Sequence, residues 1–254
     1  SVMVDYCYDN PTSFSGLTLL VATIFFAFQI YCDFSGYSDI AIGAARTMGF
    51  KLMTNFDAPY LSKSISEFWR RWHISLSTWF KDYLYIPLGG NRVGEMRLYI
   101  NYLIVFTVSG LWHGAAWTFI IWGFLHGFYL VFAIIRKKYF SIKFPEIPLL
   151  STLTTFVLVT VAWVFFRAKG LGNARVILTK IITLDDFSRF EMPFSKAEFL
   201  FSWVLILILF LKDIYVKEIS TKHTPTFYFK FAGLLILSYF LGIFTSNQFI
   251  YFQF

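Results

Sequence analysis

Two histidines stand where a proton-transferring group would be useful. His73 lies in Trp72-His73-Ile74-Ser75 and His113 in Ser109-Gly110-Leu111-Trp112-His113-Gly114. The run Leu98 to Ile135 around His113 contains no Asp, Glu, Lys or Arg. An imidazole buried there is costly unless a partner or water meets it. A neutral imidazole, with an ordinary pKa of about 6.5, can take the proton of a hydroxyl attacking a carbonyl and hand it to a departing thiolate. His113 is therefore a candidate base for acyl transfer, and an apolar surround favours its neutral form. His73 would orient that base or polarise the carbonyl. The same pattern equally suits a histidine that hydrogen-bonds across helices and does no chemistry. His126, on another helical face from His113, and His223, in a charged loop, fit structural roles better.

Other chemistries find less support. The chain has no Gly-x-Ser-x-Gly elbow, no Gly-rich phosphate loop with Lys and no HExxH pair. Ser75 and Ser109 lack a base at triad spacing, so direct transfer without an acyl-enzyme is the simpler scheme. Cys7 and Cys32 make neither a disulfide framework nor a zinc site. No metal and no bound cofactor are expected. Asp33, Asp39, Trp69 and Trp112 are candidate substrate contacts. Tyr85, Asn91 and Arg92 are candidate contacts for a donor or partner, although packing, interfacial anchoring and an ordinary turn explain the same residues.

The elements that position these groups follow from composition. Of 254 residues, 57% are hydrophobic, 22% aromatic and only 15% charged, against roughly a quarter charged in soluble domains. Uncharged runs over Asn10 to Cys32, Leu98 to Ile135, Ile147 to Phe166 and Phe231 to Phe254 reach the roughly 18 residues of a spanning helix. They do not alternate apolar with polar, so helices rather than barrel strands are predicted. Leu98 to Ile135 is too long for one crossing and should break near Ser109, Gly110 and Gly114, giving two helices that meet around Trp112 and His113. Further spans are predicted at Gly16–Tyr31, Leu149–Phe166, Phe199–Ile214 and Phe231–Phe244.

After Tyr31, CDFSGYSDIAIGAARTMGF mixes small residues with Asp33, Asp39 and Arg46, which predicts a separate helix packed inside the bundle. Ser64 followed by Glu67 matches a capping box. Ile65, Phe68, Trp69, Trp72, Leu76, Trp79, Phe80 and Tyr83 then form one stripe at about 100° per residue, an amphipathic helix with His73 at its edge beside Trp69 and Phe80. Pro87, Gly89, Gly90 and Asn91 should end it, and 167–198 is expected to be a loop.

The net charge of +7 gathers beside apolar runs, as in Arg136, Lys137 and Lys138. Juxtamembrane anchoring is expected, and nucleic acid is not an expected partner. The positive-inside rule puts loops 136–148 and 212–230 in the cytoplasm and the C-terminus outside. No repeat or linker divides the chain, so residues 1–254 are read as one membrane-embedded domain. The opening on Ser1 without an initiator Met suggests an absent upstream portion.

YCDFSGYSDIAIGAARTMGF, NFDAPYLSKSISEFWRRWHISLSTWFKDYLYIPLGGNR, SGLWHGAAWTFIIWGFLHG and the terminal QFIYFQF together resemble the membrane-bound O-acyltransferase family, in particular its bacterial alginate O-acetyltransferase type. The resemblance is dense over the first half and the extreme end, and covers only the C-terminal part of family members. It implies an all-α polytopic membrane bundle with amphipathic or re-entrant helices around residues 33–95, ringed about a thin centre crossed by a funnel. It implies that His113 is the catalytic histidine and His73 a second essential one. An acyl thioester, acetyl-CoA or an acyl-carrier donor, would enter from the cytoplasm, and a hydroxyl acceptor would be served with a periplasmic or extracellular partner acyltransferase. A bacterial inner-membrane location follows. Two rival readings remain: a transporter or proton relay using His73, His113, Asp33 and Asp39, and a non-catalytic scaffold for a secreted acetyltransferase.

Overall fold

The computed structural model describes residues 2–139, 147–186, 188–216 and 224–241, and all regular structure among them is helical. In order these are α1 (Val2–Asp9), α2 (Gly16–Thr47), α3 (Ile65–Arg71), α4 (Ile74–Phe80, running into a π turn over Lys81–Tyr85), α5 (Glu95–His113), α6 (Trp117–Tyr139), α7 (Pro148–Arg167), α8 (Leu171–Thr183), α9 (Lys196–Tyr215) and α10 (Pro225–Leu241). Contacts gather into two compact units, Ser1–Ser202 and Trp203–Phe254. The first carries both candidate histidines. The second holds the rest of α9 and α10. His223, the terminal QFIYFQF and parts of both basic loops lie outside the described residues.

Among the described residues α2, α6 and α7 are long and apolar enough to cross a membrane. The break between α5 and α6 falls where the uncharged run predicts it, at Gly114 to Ala116. These two helices touch backbone to backbone. A Cβ on Gly110 would lie 2.2 Å from the Phe119 carbonyl oxygen, and one on Gly123 only 2.1 Å from that of Phe106. Small residues permit this approach in lipid, where close van der Waals packing holds helices together. Gly123→Ala must push α5 and α6 apart, at a cost of about 1–3 kcal/mol by overpacking. Thermal unfolding in detergent should show a clearly lowered midpoint, whereas Gly43→Ala, where a Cβ meets nothing within 4 Å, should leave the midpoint in place.

Three expectations are corrected. The segment after Tyr31 is no separate helix: α2 runs unbroken through 32 residues, about 48 Å at 1.5 Å per residue. It contains no Pro, and Ser15 caps its start by accepting from the Thr18 N–H. The C-terminal half is not packed inside, since Tyr37 is 54% and Ile40 74% exposed. Leu52, Met53, Asn55 and His73 line a cleft together with Phe34, Tyr37 and Ser38 of that half.

The single amphipathic helix over 65–83 is broken. Ser64 does cap α3, accepting from Glu67 N–H while the Glu67 carboxylate accepts from Lys63 N–H. Trp72 then leaves the helix, and His73 takes a left-handed backbone (φ +43°) before α4 restarts. Periodicity missed this because the Asn55 backbone carbonyl accepts from Ile74 N–H and the Arg71 carbonyl accepts from Asp57 N–H, tertiary bonds that offset a helical turn. Finally, α8 lies within the expected loop 167–198. Ala174 and Ile177 are buried one helical turn apart, and Lys180 Nζ ties α8 to the Thr12 and Phe14 carbonyls at 2.8 Å each.

Candidate functional site

An aromatic block joins the helices of the first unit. Tyr60 donates to the Ala27 carbonyl (2.6 Å) and accepts from Trp163 Nε1 (3.2 Å). Trp163 stacks on Trp122 (5.7 Å between ring centres) and meets Trp72 at 5.1 Å. Such rings pack edge to face or offset, and buried indole and phenol groups find hydrogen-bond partners.

His113 ends α5 against this block. Its ring meets Trp122 edge-on at 5.1 Å, Phe166 at 5.2 Å and Phe119 at 6.4 Å. The residue is half-buried, and the rings around it are apolar walls. Trp112 lies beside it at 5.0 Å but is 58% exposed.

His73 sits at the α3–α4 break, outside the spanning helices, and meets Phe34 edge-on at 4.6 Å. It is not beside Trp69 and Phe80 as the stripe predicts, because the left-handed residue swings it toward α2. Asn55 holds it. Asn55 Oδ1 accepts from Ser75 N–H (3.2 Å) and Ser75 Oγ (2.9 Å) and faces His73 Nδ1 at 3.2 Å, while Asn55 Nδ2 donates to Ser38 Oγ at 3.1 Å. The backbone N–H fixes the amide orientation, so Nδ1 faces an acceptor and must carry the proton. In the neutral ring Nε2 then keeps its lone pair. Burial, and next the charge of the nearby His113, push the His73 imidazole down to about 3, so it is neutral at physiological pH. Trp122, which walls His113, stacks on Trp163, and Trp163 meets Trp72, the residue before His73. His73 closes one end of a mainly apolar cleft of about 280 Å³ lined by Phe34, Ser38, Leu52 and Met53.

The remaining candidates divide. Tyr85, Asn91 and Arg92 come together with Lys81 around a second cleft of about 610 Å³. Trp69 belongs elsewhere: its Nε1 donates to Nδ1 of the fully buried His126 at 3.2 Å. Asp33 is half-buried on α2, one position from Phe34, whereas Asp39 is exposed and is not drawn to either imidazole. Sequence reading passed over Asn55 and Lys81. No local pattern marks Asn55, whose role depends on the α2 and α4 backbones it bridges, but Lys81 carried a usable signal as a cation shortly before a Gly-Gly-Asn-Arg turn.

Comparison with known proteins agrees with this architecture. The model of the membrane-bound O-acyltransferase family matches residues 2–172. Peptidoglycan O-acetyltransferase of Helicobacter pylori is 45% identical over 200 residues, 77% of this chain and 37% of the relative. The Pseudomonas aeruginosa protein named "Probable alginate O-acetylase AlgI" is 42% identical over 230 residues, 87% of this chain and 43% of that one. Teichoic acid D-alanyltransferase of Streptococcus thermophilus is 41% identical over 122 residues, 44% of this chain and 29% of the relative. The chain thus spans less than half the length of these curated relatives. With a family match over residues 2–172 and helices long enough to cross a bilayer, this chain belongs to the membrane-bound O-acyltransferase family.

Proposed function

We propose that the protein transfers an acyl group, acetyl from acetyl-CoA, to a hydroxyl of an exported polysaccharide of the alginate type, in a bacterial inner membrane. The thioester comes from the cytoplasmic side, and a periplasmic acyltransferase works as partner. The observation that carries this reading is His113, a partly exposed imidazole walled by Trp122 and Phe166 at the end of α5. The names of the relatives, which speak of peptidoglycan O-acetyl transfer, probable alginate O-acetylation and teichoic acid D-alanyl transfer, support the substrate class.

In this scheme His113 removes the hydroxyl proton as the acceptor oxygen attacks the thioester carbonyl. The new C–O bond forms, the C–S bond breaks, and the imidazolium returns the proton to the departing thiolate. His73, with its proton held on Nδ1, offers Nε2 as an acceptor and so orients an O–H or N–H donor. This supports the orienting role over carbonyl polarisation. Mass spectrometry of the polysaccharide from cells with and without the gene is the test: acetyl esters should vanish with the gene, and their persistence would refute the reading.

Asn55→Asp sets a carboxylate against Nδ1 in place of the amide. An opposite charge at that distance favours the imidazolium and raises the His73 pKa by about 1–3 pH units. The lone pair is then lost sooner as pH falls, so the acid limb of turnover should move upward by a similar amount. An unmoved limb in a pH–rate profile means that Asn55 does not control His73.

A further inference from the structure

His126 is fully buried, and the transfer scheme does not use it. It sits on α6 one helical turn beyond Trp122, enclosed by rings from α3, α6 and α7. Phe68 lies parallel to it at 6.2 Å between ring centres, Trp69 stands edge-on at 4.9 Å, and Trp122 and Trp163 follow at 5.1 and 6.5 Å. Its Nδ1 accepts from Trp69 Nε1–H at 3.2 Å. Nδ1 therefore carries no proton, and in the neutral ring the proton is on Nε2, which is buried without a hydrogen-bond partner among the described residues. An unmatched buried donor is destabilising. A phenylalanine would fill the same aromatic cage without that N–H, so packing alone does not account for an imidazole here. What the imidazole adds is an acceptor for Trp69.

That bond joins the supports of the two candidate histidines. Trp69 belongs to α3, which ends at Trp72 directly before the left-handed residue His73. On the other side Trp122 meets both members of the bond, Trp69 at 5.9 Å and His126 at 5.1 Å, and stands edge-on to His113 at 5.1 Å. Ring contacts tolerate a range of offsets, whereas a hydrogen bond weakens steeply once misaligned, so the Trp69–His126 bond sets the register of α3 on α6. We infer that His126 is a positioning residue for acyl transfer, holding α3 against α6 through Trp69 so that His73 and the Trp122 wall of His113 keep their places. The inference rests on the acyl-transfer reading. His126 moves no proton in the reaction; it acts through Trp69 and Trp122.

The test compares His126→Phe, His126→Asn and Trp69→Phe in the intact protein. His126→Phe keeps a ring in the cage and removes the acceptor. Its kcat per folded molecule should fall about 10- to 100-fold, the scale of a reacting group displaced by about an ångström, while KM for the thioester stays near wild type. His126→Asn returns a carbonyl acceptor close to the place of Nδ1 and should recover most of the loss. Trp69→Phe should lose as much as His126→Phe, and the double variant no more than either, because each deletes the same bond. Full kcat per folded molecule in His126→Phe, a loss that Asn does not recover, or single losses that multiply in the double variant each overturn the positioning role. The bond is also read without turnover, by magnetic resonance of protein carrying isotope-labelled histidine: the His73 and His113 ring signals should shift in His126→Phe and return toward wild type in His126→Asn. Unmoved signals overturn the inference. If these shifts appear but wild type transfers no acetyl group, the acyl-transfer reading falls and the positioning of the two rings by His126 stands.

Discussion

Replacing His113 with Ala in the intact protein should lower acyl transfer by about 10²- to 10⁴-fold, the range a positioned proton-transfer group supplies. The variant should reach the membrane at the normal level. His113 is the last residue of α5, its ring rests against Trp122 and Phe166 rather than filling a closed core, and the α5–α6 contact depends on Gly110 and Gly123. His113→Gln, which keeps bulk and a hydrogen-bonding end but is no base, should be equally inactive. Retention of a tenth or more of wild-type transfer by either variant removes His113 from the role of base.

His73→Ala should cost about 10²-fold, the penalty typical of a misplaced reacting group. The loss differs in kind from that at His113, because Asn55, Ser38 and Ser75 hold the His73 ring in one tautomer and one place. Asn55→Ala, which frees the ring without deleting it, should give an intermediate loss that falls on kcat rather than on KM for the thioester. A purely structural His73 would instead lower protein yield and leave turnover per molecule unchanged.

How far these features could be read in advance depends on which interactions set them. The α5–α6 break was legible because a charge-free run exceeds one bilayer crossing and contains Gly110 and Gly114 at its middle. The Ser64–Glu67 cap and the Gly89-Gly90-Asn91 turn were legible because both are local. The break at His73 was not, since Trp72 and Leu76 keep helical spacing across it and the deciding bonds come from Asn55 and Asp57, distant in sequence. For the same reason Trp69, a stripe neighbour of His73 on paper, faces His126 instead. The continuity of α2 was hidden by small and charged residues after Tyr31, which suggested a new element although none of them stops a helix. Family resemblance supplied the pairing of His73 with His113; spacing alone left each open to an ordinary hydrogen-bonding role.

The pairing itself is best tested by a double-mutant cycle on acetyl transfer, with wild type, His73→Ala, His113→Ala and the double variant measured in the same membranes. Residues that serve one proton-transfer unit are strongly non-additive, so the double variant should be no slower than His113→Ala alone. Losses that multiply independently would contradict a shared site built from these two imidazoles.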